Sequence, residues 1–210
     1  MSNYLRIRSR GGTYFFTVNL AARGSRGLIT HIDALRMAVR DTRRERPFEI
    51  DAMVVLPDHL HSVWTLPEGD ADYSTRWGAI KARFTRRVGF EPTYRPGVDT
   101  LGAEETLGAV GWKPTLRTAS KLAKKDGKVW QRRFWEHTIR DEADYRAHVR
   151  YCWINPVKHG LVARAVDWPH SSIHRDIGRG LVDPEFMKTE PVGWGSTPPM
   201  PMMGERKGAP

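Results

Sequence analysis

Residues 48–67 form the stretch FEIDAMVVLPDHLHSVWTLP, which decides the fold. The run 48–57 alternates and then becomes fully apolar, as is typical of a central strand. A second strand is predicted over 59–67, and Pro57-Asp58 between the two runs indicates a tight turn. The stretch therefore predicts a β-hairpin.

Strands and helices alternate around this hairpin. The predicted elements are a strand at Tyr14–Leu20, a helix at Thr30–Arg46 with Thr30 as N-cap, a basic amphipathic helix at Tyr73–Val88, a strand at Val129–Arg140, and a helix at Asp141–Ile154 that Asn155-Pro156 ends or bends. The order β-α-β-β-α-β-α predicts an α+β fold of the ferredoxin-like, split β-α-β kind, with an antiparallel sheet and its helices on one face.

The chain of 210 residues suggests one domain over 1–180. Residues 89–127 are rich in Gly, Pro and small side chains and lack apolar periodicity, so we expect an insertion or long loop there. Residues 181–210 form a C-terminal extension. It is Pro-rich from about Ser196, and we expect disorder from that point.

The charge balance points to a polyanionic partner. Lys and Arg number 34 against 24 Asp and Glu, a formal net charge of +10, which favours nucleic acid first and acidic lipid second. Membrane insertion is not expected, because no run of about 18 apolar residues occurs. The N-terminus has no apolar signal-peptide region. The single cysteine, Cys152, suits a reducing cytoplasm.

A basic run covers Lys113–Arg133 with a single acid, Asp126, and tryptophans lie in or beside it. Cations interleaved with aromatic rings suit single-stranded nucleic acid, where bases stack and phosphates pair. The alternative is a solvated loop surface with core tryptophans. The candidate phosphate contacts are Arg117, Lys121, Lys124, Lys125, Lys128, Arg132 and Arg133.

His59 and His61 flank Leu60 on the second hairpin strand. Residues i and i+2 point to the same face of a strand, so the two imidazoles can share one divalent cation while Leu60 enters the core. Two unrelated histidines are the alternative, since short pairs of this kind occur by chance.

The last predicted helix carries polar side chains on one arc of about 100°: His148, Tyr151, Cys152 and Asn155. Tyr151 and Asn155 are stacked at i and i+4. An amide oxygen completes a two-imidazole site for Mg²⁺ or Mn²⁺, and a tyrosine hydroxyl one turn away can attack a phosphodiester. Two alternatives remain: a core helix with a buried tyrosine, and a zinc site in which His148 and Cys152 join the two strand histidines.

Tyr145 also lies on this helix, six residues before Tyr151. That separation places the two side chains about 120° apart around the helix axis. Tyr151 shares its face with Asn155, whereas we expect Tyr145 to point toward the core. Tyr151 is therefore the candidate nucleophile.

Six stretches together resemble a known family, the REP-associated tyrosine transposases, a branch of the IS200-like single-Tyr HUH transposases of bacteria. The resemblance spans most of residues 14–175. The matching stretches are YFFTVNL (14–20), DAMVVLPDHLHSVWTLPEGDAD (51–72), RWGAIKARF (76–84), VWQRRFWEHTIRDEADYRAHV (129–149), YCWINPVKHGLV (151–162) and DWPHSS (167–172).

The resemblance implies an HUH endonuclease fold with His59 and His61 as the histidine pair and Tyr151 as the catalytic residue. Asn155 stands where the wider group has a Gln as third metal ligand. The implied reaction is Mg²⁺- or Mn²⁺-dependent cleavage and rejoining of single-stranded DNA next to a hairpin, through a 5′-phosphotyrosine.

The same resemblance implies a nucleoid-associated protein of the bacterial cytoplasm. The wider group works as dimers that share active sites, whereas we expect this branch to act as a monomer. The rival function is a domesticated protein that binds such hairpins without cutting them. The insertion and the C-terminal extension depart from the family pattern and leave the DNA specificity open.

Overall fold

The computed structural model describes residues 9–89 and 129–183. The predicted insertion from residue 90 onward and the predicted extension from residue 184 onward lie outside these ranges. Within the described parts, no helix is both long and apolar enough to cross a membrane. The strands are β1 (Thr13–Asn19), β2 (Glu49–Val55), β3 (His59–Thr65) and β4 (Trp135–Thr138), and the helices are α1 (Gly27–Thr30), α2 (Ile32–Glu45), α3 (Tyr73–Arg87), α4 (Glu142–Lys158) and α5 (Ile173–Gly178).

The four strands form one antiparallel sheet in the order β2-β3-β1-β4. The predicted hairpin is confirmed: β2 and β3 are neighbours, and the backbone N–H of Leu56 donates to the carbonyl of His59 at 2.8 Å across the turn. The Asp58 carbonyl in that turn accepts from the N–H of Leu20 at 2.8 Å, which ties the hairpin to the end of β1. The predicted α+β class with an antiparallel sheet is confirmed.

One face of the sheet is an aromatic core beneath α2 and α3. Tyr14 and Phe16 of β1 and Trp64 of β3 point to this face and are fully buried. The ring of Trp77, from α3, stacks on Trp64 with 4.2 Å between ring centroids. Because side chains alternate along a strand, every second residue of β1 and β3 supplies this core.

The prediction that all helices lie on one face is wrong. Helix α4 covers the opposite face, where Val149 and Cys152 pack with Phe15, Ala52 and Val63 of the strands. The helix lacks a regular apolar stripe, because polar side chains take several of the positions that face the sheet. Its sequence pattern therefore did not mark it as a helix that covers a second sheet face.

Two helix boundaries also differ from the predictions. Helix α4 does not end at Ile154 but continues through Asn155 and Pro156. Proline removes one backbone donor near the C-terminus of the helix, and the next residues still close the turn, with the His159 N–H bonded to the Asn155 carbonyl at 3.1 Å. The predicted N-cap Thr30 instead ends α1, and α2 starts after His31 without a side-chain cap.

The predicted strand over 129–140 is interrupted. Leu20 pairs with Trp130 and Thr17 pairs with Trp135. The first chain segment advances by three residues between these two pairs, whereas the second advances by five. Two extra residues therefore leave the sheet between these pairs. Trp130 also contacts Phe84 near the end of α3, with ring centroids 5.1 Å apart.

Candidate active site

The two strand histidines lie side by side on the sheet face that α4 covers. His61 pairs with Thr17 of β1 and His59 with Asn19, and the two imidazole centroids are 5.1 Å apart. Leu60 points the other way into the aromatic core. The i, i+2 spacing thus brings the imidazoles together as predicted, at a depth where His61 is only 1% exposed.

Each imidazole is oriented through its Nδ1 atom. Nδ1–H of His59 donates to Oδ1 of Asp58 at 2.6 Å, and Nδ1 of His61 lies 2.9 Å from the Thr17 hydroxyl. Outer partners of this kind fix the ring and leave the Nε2 lone pair available for a cation. Neither Asp58 nor Thr17 is among the site residues predicted from the sequence. Asp58 directly precedes His59 and could have been found, whereas Thr17 requires the β1–β3 register.

Burial keeps both imidazoles neutral, which is the form that binds metal. It lowers the pKa of His59, although the Asp58 carboxylate opposes this effect. It lowers the pKa of His61 well below its usual value, and nearby cationic side chains add to the shift. Asp58 stays ionised, because hydrogen bonds from His59 and the Gly24 N–H outweigh burial and lower the pKa of its carboxyl.

Tyr151 of α4 reaches the histidine pair. Its ring centroid lies 5.1 Å from that of His61, and only 8% of the residue is exposed. Burial raises the pKa of its hydroxyl, and the Asn155 amide opposes that rise. The Nζ atom of Lys158, two turns further along α4, lies 4.8 Å from the centre of the Tyr151 ring. A cation at that distance interacts with the electron-rich face of the ring.

Asn155 is completely buried one turn after Tyr151. The amide lies close enough to the Tyr151 hydroxyl to lower its pKa, but neither its oxygen nor its nitrogen makes a hydrogen bond of good geometry with any described residue. A buried amide normally finds a partner, and an amide oxygen is a ligand that Mg²⁺ and Mn²⁺ accept. The donor set of His59, His61 and Asn155 therefore fits a divalent cation.

Two further residues at this site were missed because the helix was predicted to end at Ile154. The ring of His159 lies 5.0 Å from that of His59, and Lys158 lies over Tyr151. Lys158 and Arg23, whose Nε lies 3.3 Å from Oδ2 of Asp58, place positive charge beside the histidine pair, whereas burial lowers the pKa of His159 and favours its neutral form. An anionic phosphate is the natural ligand for such a rim.

Tyr145 lies apart from the histidine pair, next to Asp51 of β2. Burial and the Asp51 carboxylate raise the pKa of its hydroxyl to about 12. Tyr145 packs half-buried against the core under α4, in the direction that the helix geometry predicts. A phenol beside a carboxylate resists ionisation, so Tyr145 is the poorer nucleophile of the two.

The zinc alternative fails in the structure. Nδ1–H of His148 donates to the backbone carbonyl of Asp144 at 2.8 Å and its ring stacks with His137, not with the strand histidines. Cys152 is fully buried in the core under α4, and burial raises the pKa of its thiol. A thiol held neutral in an apolar core is a poor metal ligand.

Of the predicted DNA contacts, Arg132 and Arg133 lie within the described residues. Both are exposed and lie just before β4, where the register of the pairing with β1 shifts. The predicted contacts between Arg117 and Lys128 lie outside the described ranges.

Comparison with known proteins gives three close similarities, and no protein-family model matches the chain. The chain is 45% identical over 181 residues to the REP-associated tyrosine transposase of Escherichia coli (strain K12), covering 86% of this chain and 88% of that protein. It is 36% identical over 207 residues to a putative REP-associated tyrosine transposase of Haemophilus influenzae, covering 98% and 99%. The structure of a REP-associated tyrosine transposase bound to a REP hairpin matches with 45% identity and a TM-score of 0.69, over 87% of this chain and 89% of that one.

Proposed function

The chain belongs to the REP-associated tyrosine transposases, and we propose that it cleaves and rejoins single-stranded DNA next to hairpins formed by palindromic repeats. The observation that carries the proposal is the approach of Tyr151 to the histidine pair, 5.1 Å from ring to ring with His61. The hairpin substrate is inferred from the related transposase whose structure contains a REP hairpin.

Tyr151 is the proposed nucleophile. Its hydroxyl loses a proton and attacks the scissile phosphorus, so that a phosphorus–tyrosine oxygen bond forms while the bond to the 3′ oxygen breaks. The 5′ phosphate stays on Tyr151, and the released 3′ oxygen takes up a proton. Lys158 lies over the face of the Tyr151 ring.

His59, His61 and Asn155 are the proposed ligands of one Mg²⁺ or Mn²⁺. When bound, such a cation polarises the oxygens of a phosphodiester and offsets the charge that develops on them. Asp58 and Thr17 hold the two imidazoles in the orientation that this role needs.

Rejoining is the reverse of the same step. The 3′ hydroxyl of a second strand attacks the phosphotyrosine, a phosphodiester forms, and Tyr151 recovers its proton. One phosphodiester replaces another at each stage, so neither step needs ATP. The same residues therefore serve cleavage and strand transfer.

We further propose that the protein acts as a monomer. Tyr151 already contacts His61 of its own chain, so one chain holds a complete set of catalytic groups. A mixture of the Tyr151→Phe and His61→Ala variants tests this arrangement. It stays inactive when the site is formed within one chain, and it regains activity when two chains share sites.

The deciding experiment incubates the protein with single-stranded DNA that carries a repeat hairpin and analyses it on a denaturing gel. The wild type is expected to form a covalent protein–DNA adduct with Mn²⁺. Tyr151→Phe loses the adduct but still binds the hairpin. Tyr145→Phe, the matched control on the same helix, keeps it.

Two outcomes would change the proposal. An adduct that persists in Tyr151→Phe and disappears in Tyr145→Phe overturns the choice of nucleophile. A wild type that binds the hairpin but never forms an adduct with either metal favours a domesticated hairpin-binding protein.

A further inference from the structure

A second cluster of possible metal ligands lies next to the proposed active site and takes no part in it. His137 is on β4, and Asp144 and His148 are on the first two turns of α4. Nε2 of His137 lies 2.8 Å from Oδ2 of Asp144, and Nδ1 of His148 lies 3.1 Å from Oδ1. One candidate ligand atom from each residue lies within 4.8 Å of the other two.

A separate observation sets His148 apart from an ordinary buried histidine. Its Nδ1–H donates to the Asp144 carbonyl at 2.8 Å, which leaves the lone pair of a neutral ring on Nε2. This Nε2 atom is buried and has no hydrogen-bond partner among the described residues. A buried acceptor without a partner is destabilising, so this atom is available to a cation.

The ionisation states also suit a cation. Burial opposes the charge on Asp144, but hydrogen bonds from His137 and Arg140 outweigh it and lower the pKa of the carboxyl to about 2. Burial lowers the pKa of His148, which favours its neutral form. An ionised carboxylate and a neutral imidazole are the forms in which these groups bind metal.

We propose that His137, Asp144 and His148 form a second divalent-metal site, separate from the His59–His61 pair, that takes Zn²⁺. Two imidazoles and one carboxylate are a common zinc ligand set, and water can complete the tetrahedron. The cation takes the position of the hydrogen on Nε2 of His137, and the neutral ring then carries its one hydrogen on Nδ1. The rings of His137 and His148 are stacked at 19°, so the partly exposed His137 ring turns toward the cation as it binds.

The position of the cluster indicates a role in holding α4 on the sheet. A cation there ties β4 to the first two turns of α4, and His148 lies three residues before Tyr151. The ring of Phe15 contacts both His148, at 4.7 Å, and Tyr151, at 5.7 Å between centroids. Metal bound at the cluster therefore stabilises the packing that presents Tyr151.

The test measures metal binding by the full-length chain without an affinity tag. The His59→Ala/His61→Ala double variant removes the first site, and it is expected to retain one equivalent of Zn²⁺ after dialysis. Adding His137→Ala to that variant should reduce retention to near zero. His174→Ala, an exposed histidine on α5, is the matched control and should keep the equivalent. Co²⁺ in place of Zn²⁺ should give the visible absorption of a tetrahedral site with the same pattern.

A second measurement covers the case in which a variant folds poorly. Zn²⁺ should raise the Tm of the double variant, and Asp144→Asn should abolish that rise while it keeps a folded far-UV spectrum. A double variant that retains no Zn²⁺ and shows no rise overturns the proposal, as does retention unchanged by His137→Ala. These readouts do not involve DNA cleavage, so they stand apart from the adduct experiment.

Discussion

The two faces of the sheet are built from alternate residues of the same strands, yet they differ in character. On β3, Leu60 and Trp64 enter an aromatic core, while His59 and His61 face α4. Both faces are buried: Trp64 has no exposed surface and His61 has 1%. The core face stabilises the fold by burying apolar surface. The histidine face instead buries imidazoles that hydrogen-bond through Nδ1 alone.

This difference indicates that the buried positions of the histidine face contribute less to stability than those of the core face, as the proposed metal site would require. An apolar side chain gains about 25 cal/mol for each Å² removed from water, whereas a buried imidazole gains only when its nitrogens find partners. Asp58 and Thr17 supply one partner to each ring. Substitutions on the two faces should therefore separate activity from stability.

The largest expected effect is on the histidine face. His59→Ala or His61→Ala should abolish adduct formation and leave the chain folded, because each removes a proposed cation ligand without disturbing the aromatic core. Excess EDTA should produce the same loss in the wild type. Full cleavage activity in EDTA would contradict the proposed metal dependence, and His174→Ala serves as the control substitution.

The next effect is on the core face and has the opposite signature. Trp77→Ala removes a fully buried ring that stacks on Trp64 at 4.2 Å, and it should lower the free energy of unfolding by about 3–5 kcal/mol. Urea denaturation measures the loss. Cleavage per folded molecule should stay close to that of the wild type. Met37→Ala, at a position 42% exposed, should change stability by less than about 0.5 kcal/mol.

A smaller effect is expected at the two residues that hydrogen-bond the histidines, Asp58 and Thr17. Asp58→Asn removes the charge that orients His59, and metal affinity should fall by about 10–100-fold. The Mn²⁺ concentration needed for half-maximal cleavage measures this change, and saturating Mn²⁺ should restore most of the rate. Thr17→Val should also lower the metal affinity, whereas Thr17→Ser should keep it close to that of the wild type. An unchanged Mn²⁺ requirement in Asp58→Asn would refute the positioning role.

The smallest effect concerns the basic run, which belongs to neither face. Neutralising Lys121, Lys124, Lys125 and Lys128 together should weaken hairpin binding and reduce its salt dependence, by about one unit of log–log slope for each lost phosphate contact. Binding measured over a range of salt concentrations checks this. A slope that does not change identifies the run as a solvated surface.

The sequence predicted the parts of the molecule that local pattern determines. The apolar alternation of 48–67 gave the hairpin, and the i, i+2 spacing put His59 and His61 on one face. The coverage of the second face by α4 could not be predicted, because its sheet-facing positions hold Tyr151 and Asn155 in place of aliphatic side chains. The roles of Thr17 and His137 could not be predicted for a related reason, because they depend on strand pairing between distant parts of the chain.

The contact between Phe84 and Trp130 fixes both ends of the connection from α3 to β4 at one point of the fold. The entropy lost when a connection is closed between two fixed ends grows only with the logarithm of its length, so each doubling of length costs about 0.6 kcal/mol. Insertions or deletions between these anchors therefore leave the pairing of β4 with β1 almost undisturbed. The length of this connection can therefore change between related chains without moving the proposed catalytic groups.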